Sequence, residues 1–267
     1  MAFSLKAVLS VAGSDSSGGA GIQADIKTIA AHGLFAETAI TALTAQNTLG
    51  VTGVANVDPA FVADQIDAVF DDIRPDAVKV GMVSSVAIMQ AVAERLSAHG
   101  ARNVVVDPVM VATSGARLID EDAVAALRAH LLPLADLVTP NIPEAEVLCG
   151  FAIADEDAME RAARQLLDLC GGAVLVKGGH GANDANDVLA LSDGALRWFR
   201  SPAIDTANTH GTGCTLSSAI ACELATGKGM AEAVADAKAY VTGALASGLG
   251  LGRGSGPLDH MWNHFER

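Results

Sequence analysis

Six short runs rich in β-branched and apolar residues punctuate the chain: KAVLSVA (6–12), TAITALT (38–44), DAVKVGM (76–82), NVVVDPVM (103–110), DLVTPN (136–141) and AVLVKGG (173–179). Their length and composition predict strands. Most lack apolar–polar alternation, which is the pattern of parallel strands covered by helices on both faces. Between them, FVADQIDAVFDDI (61–73) sets Val62, Ile66, Val69, Phe70 and Ile73 at helical spacing. Repeated βα units of this kind build a right-handed parallel sheet. Near residue 187 the pattern changes to DVLALSDGALRWFRSP, two short runs around Asp193-Gly194, a dipeptide that predicts an antiparallel edge hairpin. The last third reads as two helices, 214–227 and 230–248, each stopped by a glycine suited to the left-handed cap. With no linker, repeat or low-complexity tract, residues 1–267 are expected to form a single α/β domain. Lys6 and the apolar run after it read as a first core strand rather than a leader.

Composition narrows the function. The chain of 267 residues is 51% apolar, enough for a sizeable core. Its formal net charge of -14 argues against a broad basic surface for nucleic acid or anionic lipid. Cys149, Cys170, Cys214 and Cys222 show no paired spacing, so neither a disulfide framework nor a zinc cluster is indicated. No stretch approaches the ~18 apolar residues of a membrane span. A soluble cytoplasmic protein is expected.

In open parallel sheets, ligands bind beyond the carboxyl ends of the strands, so the residues directly after each apolar run carry most information. The first run enters GSDSSGGAGIQAD, where Gly18, Gly19 and Gly21 permit close backbone approach and a helix follows near Ile22. No G-K-[ST] follows, so this is not a Walker A loop. In VVVDPVM, Asp107 is either a magnesium-holding carboxylate or a turn-forming Asp before Pro108. In TPNIPEAE, Asn141 and Glu144 form either a helix cap with Pro143 at its first position or a metal or phosphate site. Lys177 in VLVKGGHG leaves the end of an apolar strand, where its charge calls for solvent or an anionic partner. NTHGTGC places Gly211, Thr212 and Gly213 before Cys214 at the start of an apolar helix. Unpaired N–H groups there favour negative charge, which predicts an anion hole; the alternative is a glycine-rich cap with a small buried thiol.

Taken in order, AGSDSSGGAGIQAD, TALTAQNT, KVGM, VVVDPVM, TPNIPEAE, VLVKGGH and NTHGTGC resemble the motif series of the hydroxymethylpyrimidine/phosphomethylpyrimidine kinases of thiamin synthesis, members of the ribokinase superfamily. The match spans residues 12–214. The resemblance implies a ribokinase-like three-layer sandwich with a mostly parallel central sheet. It also implies ATP-dependent phosphorylation, with Mg2+, of 4-amino-5-hydroxymethyl-2-methylpyrimidine and then of its monophosphate. Gly13, Asp25, Gln46, Met82 and Val109 would hold the pyrimidine, with the Asp25 carboxylate and the Gln46 amide reading its ring. Asn141, Glu144, Lys177 and His210 would serve the nucleotide, Asp107 and Glu144 the metal. Gly211, Thr212 and Gly213 would grip the moving phosphoryl group, and Cys214 would take the substrate hydroxyl proton. A thiol at a helix N-terminus is expected below its usual pKa, a neighbouring triphosphate opposing that shift. A homodimer is a further expectation of the resemblance. Pyridoxal kinase is the rival within the same class, and a non-catalytic ligand sensor the rival outside it. His260 and His264 are read as packing or surface residues, and the segment after His180 carries no motif.

Overall fold

The computed structural model describes residues 4–110, 121–179 and 185–265. The elements run in the order β1 (Ala7–Asp15), α1 (Gly21–Ala31), β2 (Phe35–Asn47), β3 (Gly50–Asn56), α2 (Pro59–Asp72), β4 (Ala77–Val80), α3 (Val86–Ala98) and β5 (Val104–Val106). After them come α4 (Glu121–Ala126), β6 (Leu137–Val138), α5 (Ile142–Cys149), α6 (Glu156–Leu167), β7 (Ala173–Val176), β8 (Asp187–Ala190), β9 (Leu196–Phe199), α7 (Thr212–Ala225) and α8 (Met230–Ala246). Helix α4 widens into a π turn, Leu127–Leu131, and closes as a 3-10 turn, Leu132–Leu134, where Pro133 supplies no N–H.

Among the described residues nine strands form one sheet in the order β3-β2-β1-β4-β5-β6-β7-β8-β9. The six predicted runs are its parallel centre, β2 to β7, and β8–β9 is the predicted antiparallel hairpin. Its turn differs from the expected two-residue form. Leu191 and Ala195 close a loop in which Gly194 has φ 82° while Asp193 keeps negative φ, so one glycine supplies the left-handed residue. Strand β3 is a second antiparallel edge that the sequence did not announce. GVTGVAN has two glycines, and its five last residues are exposed, so no buried stripe marks it.

The pleat sorts each strand between two layers. Val104 and Val106 pack with α2, α3, α5 and α6, while Val105 between them packs with α1, α7 and α8. The predicted amphipathic helix is α2, burying Val62, Ile66 and Phe70; Ile73 falls past its end and is exposed. The two C-terminal helices end as expected, with Gly227 at φ 92° and Gly248 at φ 74°. Among the described residues no helix is long and apolar enough to cross a membrane.

Candidate active site

The parallel strands end on one side of the molecule, and there a cavity of about 740 Å3 opens between the sheet and α5, α7 and α8. Gly13 and Asp15 reach it from β1, Gln46 from β2, Met82 from beyond β4, Asp107 and Val109 from beyond β5, and Asn141 from beyond β6. Thirteen of the residues singled out from sequence line this one space; Asp25 does not. His180 lies outside the described residues.

The turn before α7 forms one wall. Gly211 is its N-cap at φ 87°, and a Cβ there would collide with the carbonyl oxygen of Gly19, so the two glycine loops touch backbone to backbone. Both the N–H and the hydroxyl of Thr215 donate to the Gly211 carbonyl at 2.8 Å. Among the described residues the N–H groups of Gly213 and Cys214 have no hydrogen-bond acceptor, and no side chain caps the helix. Fourteen residues of aligned peptide dipoles therefore end in open donors at the cavity.

Opposite that turn stands a buried charge cluster. Lys177 Nζ donates to Asp107 Oδ1 at 2.8 Å, and Thr139 Oγ1 donates to the same oxygen at 3.1 Å. Burial works against the ammonium, but Asp107 and Glu144 outweigh it and hold Lys177 above its ordinary pKa. Asn141 and Glu144 form a complete capping box on α5. Glu144 N–H donates to Asn141 Oδ1 and Asn141 N–H donates to Glu144 Oε2, both at 2.9 Å, with Pro143 at the second helical position rather than the first. The structural and functional readings of this motif thus coexist. Glu144 still faces Lys177 and the N–H of Met110, and burial pushes its carboxyl up to about 7 against the pull of Lys177. Asp107 combines roles as well: across Pro108 its carbonyl accepts the Val109 N–H at 2.8 Å, making the expected turn.

Asp15, which the sequence reading passed over, organises the glycine loop. Its carboxylate accepts the N–H groups of Ser17, Gly19 and Ala20 and the Ser17 hydroxyl, and faces His210 Nε2 at 2.8 Å. Burial alone would raise this carboxyl; the bonds from His210, Ser17 and Ala20 hold it at about 2. His210 is therefore spoken for by Asp15, with the Gln46 amide nitrogen 3.4 Å from the same ring nitrogen. Cys214 lines the cavity, but its thiol is not depressed as a helix N-terminus suggests. Burial pushes it up to about 11, against the nearby Lys79 charge and with Asp25 and Asp107 adding to the rise.

Asp25 corrects the sequence reading. Fully buried, it is held by Lys79, Ser10 and Ser218 and has no face on the cavity from which to read a ring. Conversely, the far arm of the cavity was not foreseen. Pro202, Ile204, Leu216, Val241 and Leu245 make an apolar slot, edged by Lys238 bonded to Asp187 and to the Ala185 carbonyl. No motif marks these residues, because they come from one loop and the outer turns of two helices.

Asp107 and Glu144 both line the cavity, and both act on the Lys177 ammonium. Among the described residues no group of three or more His, Cys, Asp or Glu side chains is gathered as for a metal cage. Two carboxylates, one of them pushed up to about 7, fit Mg2+ of the kind that keeps waters and is held jointly with phosphates.

Comparison with known proteins gives a consistent picture. A family model described as phosphomethylpyrimidine kinase matches residues 15–259. The chain is 52% identical over 257 residues to the hydroxymethylpyrimidine/phosphomethylpyrimidine kinase of Rhizobium meliloti, covering 95% of this chain and 96% of that one. It is 55% identical over 255 residues to the thiamine biosynthesis bifunctional protein ThiED of Geobacter sulfurreducens, covering 95% of this chain but only about half, 52%, of that longer protein. Among solved structures, the ADP complex of Bacillus subtilis pyridoxal kinase superposes with a TM-score of 0.89 at 36% identity, covering 96% of this chain and 98% of that one.

Proposed function

The chain belongs to the phosphomethylpyrimidine kinase family, and from that premise we propose that one site performs two successive phosphoryl transfers from ATP. The first acceptor is the hydroxymethyl oxygen of 4-amino-5-hydroxymethyl-2-methylpyrimidine. The second is the phosphate of the resulting monophosphate, giving the diphosphate used in thiamin synthesis. Residues 1–267 act as one kinase unit in the cytoplasm.

The observation that carries this reading is the juxtaposition of open N–H groups at Gly213 and Cys214 with Lys177. A Cβ built on Gly213 stands 3.3 Å from Lys177 Nζ. A terminal phosphoryl group seated there meets fixed donors and a buried cation, which supply the charge stabilisation that dominates this chemistry. Lys177 and the α7 N-terminus hold the transferring group while the apolar slot beside Leu216 and Val241 takes the nucleoside. Gln46, Met82, Val109 and Gly13 hold the pyrimidine at the other arm. Asp107 and Glu144 are the residues that would hold Mg2+, whose chemistry when bound is to neutralise phosphate charge. With a thiol near 11, Cys214 is protonated at neutral pH in the free protein; its thiolate draws on the positive charge of Lys79 and Lys177. A loose transition state needs little base strength, so the amides carry more of the rate than the thiol.

Residues 38–57 contain no Asp, Glu, Lys or Arg, in a chain of net charge -14, and within them Leu43, Leu49 and Val54 are more than half exposed. A second copy of this chain is the partner we assign to that hairpin edge. Light scattering on the eluting protein reads the mass, and a monomer refutes the assignment.

The likeness to pyridoxal kinase makes pyridoxal the competing acceptor. A coupled assay of ADP release with the pyrimidine alcohol, its monophosphate and pyridoxal tests the proposal. Higher kcat/KM for the pyrimidine alcohol is expected; preference for pyridoxal reverses the assignment, and binding without ADP release makes the protein a sensor.

A further inference from the structure

Behind the cavity wall lies a second lysine–aspartate pair, of which the reading above uses only the Lys79 charge. Lys79 on β4 and Asp25 on α1 are both fully buried. Lys79 Nζ donates to Asp25 Oδ1 and Oδ2 at 2.9 and 2.8 Å. The Ser10 hydroxyl on β1 donates to Oδ2 at 2.6 Å, and the Ser218 hydroxyl on α7 donates to Oδ1 at 2.7 Å. One carboxylate thus joins four elements, with its lone pairs saturated. Replacing a buried ion pair by well-packed hydrophobic residues is often neutral or stabilising, so stability is a weak account of this one.

Two features tie this node to the cavity. Ser218 lies four residues after Cys214, so the two side chains stand one above the other on the same face of α7. The ammonium also lies under the strand exit toward Met82, since a Cβ on Gly81 would stand 2.6 Å from Lys79 Nζ. The geometry points to Lys79 and Asp25 as positioning residues: through Ser218 the pair fixes the rotation of α7 about its axis, and so aims the Gly213 and Cys214 N–H groups into the cavity. This rests on the reading of that helix start as a phosphate grip. It replaces direct contact between Asp25 and the pyrimidine.

Ser218→Ala and Ser10→Ala remove the same kind of bond from the same carboxylate, one on the α7 side and one on the β1 side. Each loses one hydroxyl bond, so similar melting points are expected. Ser218→Ala is expected to lower kcat about tenfold with KM for the pyrimidine alcohol within about twofold, because the α7 donors hold the transferring phosphoryl group and not the alcohol. Ser10→Ala is expected to keep kcat within about twofold. Equal losses in both, or a loss in neither, overturn the proposal. Asp25→Asn, as a second variant, should lower kcat further at unchanged KM; a raised KM at unchanged kcat returns Asp25 to the substrate ring. Wild-type turnover in the same plates tests the kinase reading separately. Should the wild type phosphorylate neither pyrimidine alcohol nor pyridoxal, titration with the ATP analogue AMP-PCP reads the grip without an acceptor. Ser218→Ala should then weaken binding about tenfold and Ser10→Ala should not; equal affinities overturn the proposal.

Discussion

Gly213→Ala adds one methyl group at the second position of α7, and the structure fixes where it goes. The Cβ stands 3.2 Å from Asp107 Oδ2 and 3.3 Å from Lys177 Nζ. Comfortable contacts to carbon lie nearer ~3.5 to 4.0 Å, so the ion pair must retreat by a few tenths of an ångström. Gly213 is not among the glycines at positive φ, so the backbone accepts alanine without strain. Helix propensity favours alanine by up to ~1 kcal/mol, which the crowding offsets. The melting temperature should stay within about 3 °C of wild type, since 1 kcal/mol moves a domain of this size by roughly 2–4 °C. Turnover should respond differently. The methyl occupies the space between the open N–H groups and Lys177, where the transferring phosphoryl group must sit. The N–H donors survive, but a phosphoryl group pushed out of reach of one of them loses as much as when a donor is removed, on the order of 10²- to 10³-fold in rate, so kcat should fall about 100-fold. Parallel thermal melts and initial rates of ADP release check both halves. A folded variant with kcat within threefold of wild type refutes the placement of the phosphoryl group. Gly213→Val, with two more methyl groups there, should abolish turnover.

Cys214→Ala should lower kcat at least ~10-fold while KM stays within about twofold, as for a group acting only in the transition state; unchanged kcat removes the thiol from the reaction. Lys238→Met should raise KM for ATP several-fold with KM for the alcohol unmoved, because Lys238 edges the apolar arm of the cavity; equal rises in both refute the nucleoside assignment. Glu37 on β2 is buried with Oε2 unpartnered, and burial, with Asp72 and Asp76, pushes its carboxyl up to about 7. The folded value exceeds the unfolded one, so the stability this group contributes below about pH 4.5 is lost as the pH rises through 7. Glu37→Gln should therefore leave the melting point nearly unchanged at pH 4.5 and raise it by several degrees at pH 8, and parallel pH slopes for the two proteins contradict the burial argument.

The parallel centre of the sheet was legible because buried parallel strands write themselves as unbroken apolar runs, as in VVV of β5 and AVLV of β7. The charged and glycine-bearing loops were legible for a related reason: a lysine or carboxylate at the end of such a run must find a partner. What failed was whatever depends on the partner across space. Asp25 carries the same signal in sequence whether it faces a ligand or a buried lysine, and only the packing of α1 against β4 and α7 decides. Asp15 looked like one more polar loop residue, although it is the last residue of β1 and collects its own loop's N–H groups. The apolar arm near Leu216 and Val241 is assembled from ordinary helix positions. Strand β3 escaped because an exposed edge strand owes its existence to hydrogen bonds with β2, which leave no trace in side-chain pattern.

Where the carbonyl of Gly19 meets the bare α-carbon of Gly211, segments almost two hundred positions apart in the chain are keyed together like the halves of a lock. During synthesis the first half emerges early and waits. A chain cut before residue 211 lacks the second half of this contact, so on the proposed reading it is expected to release no ADP.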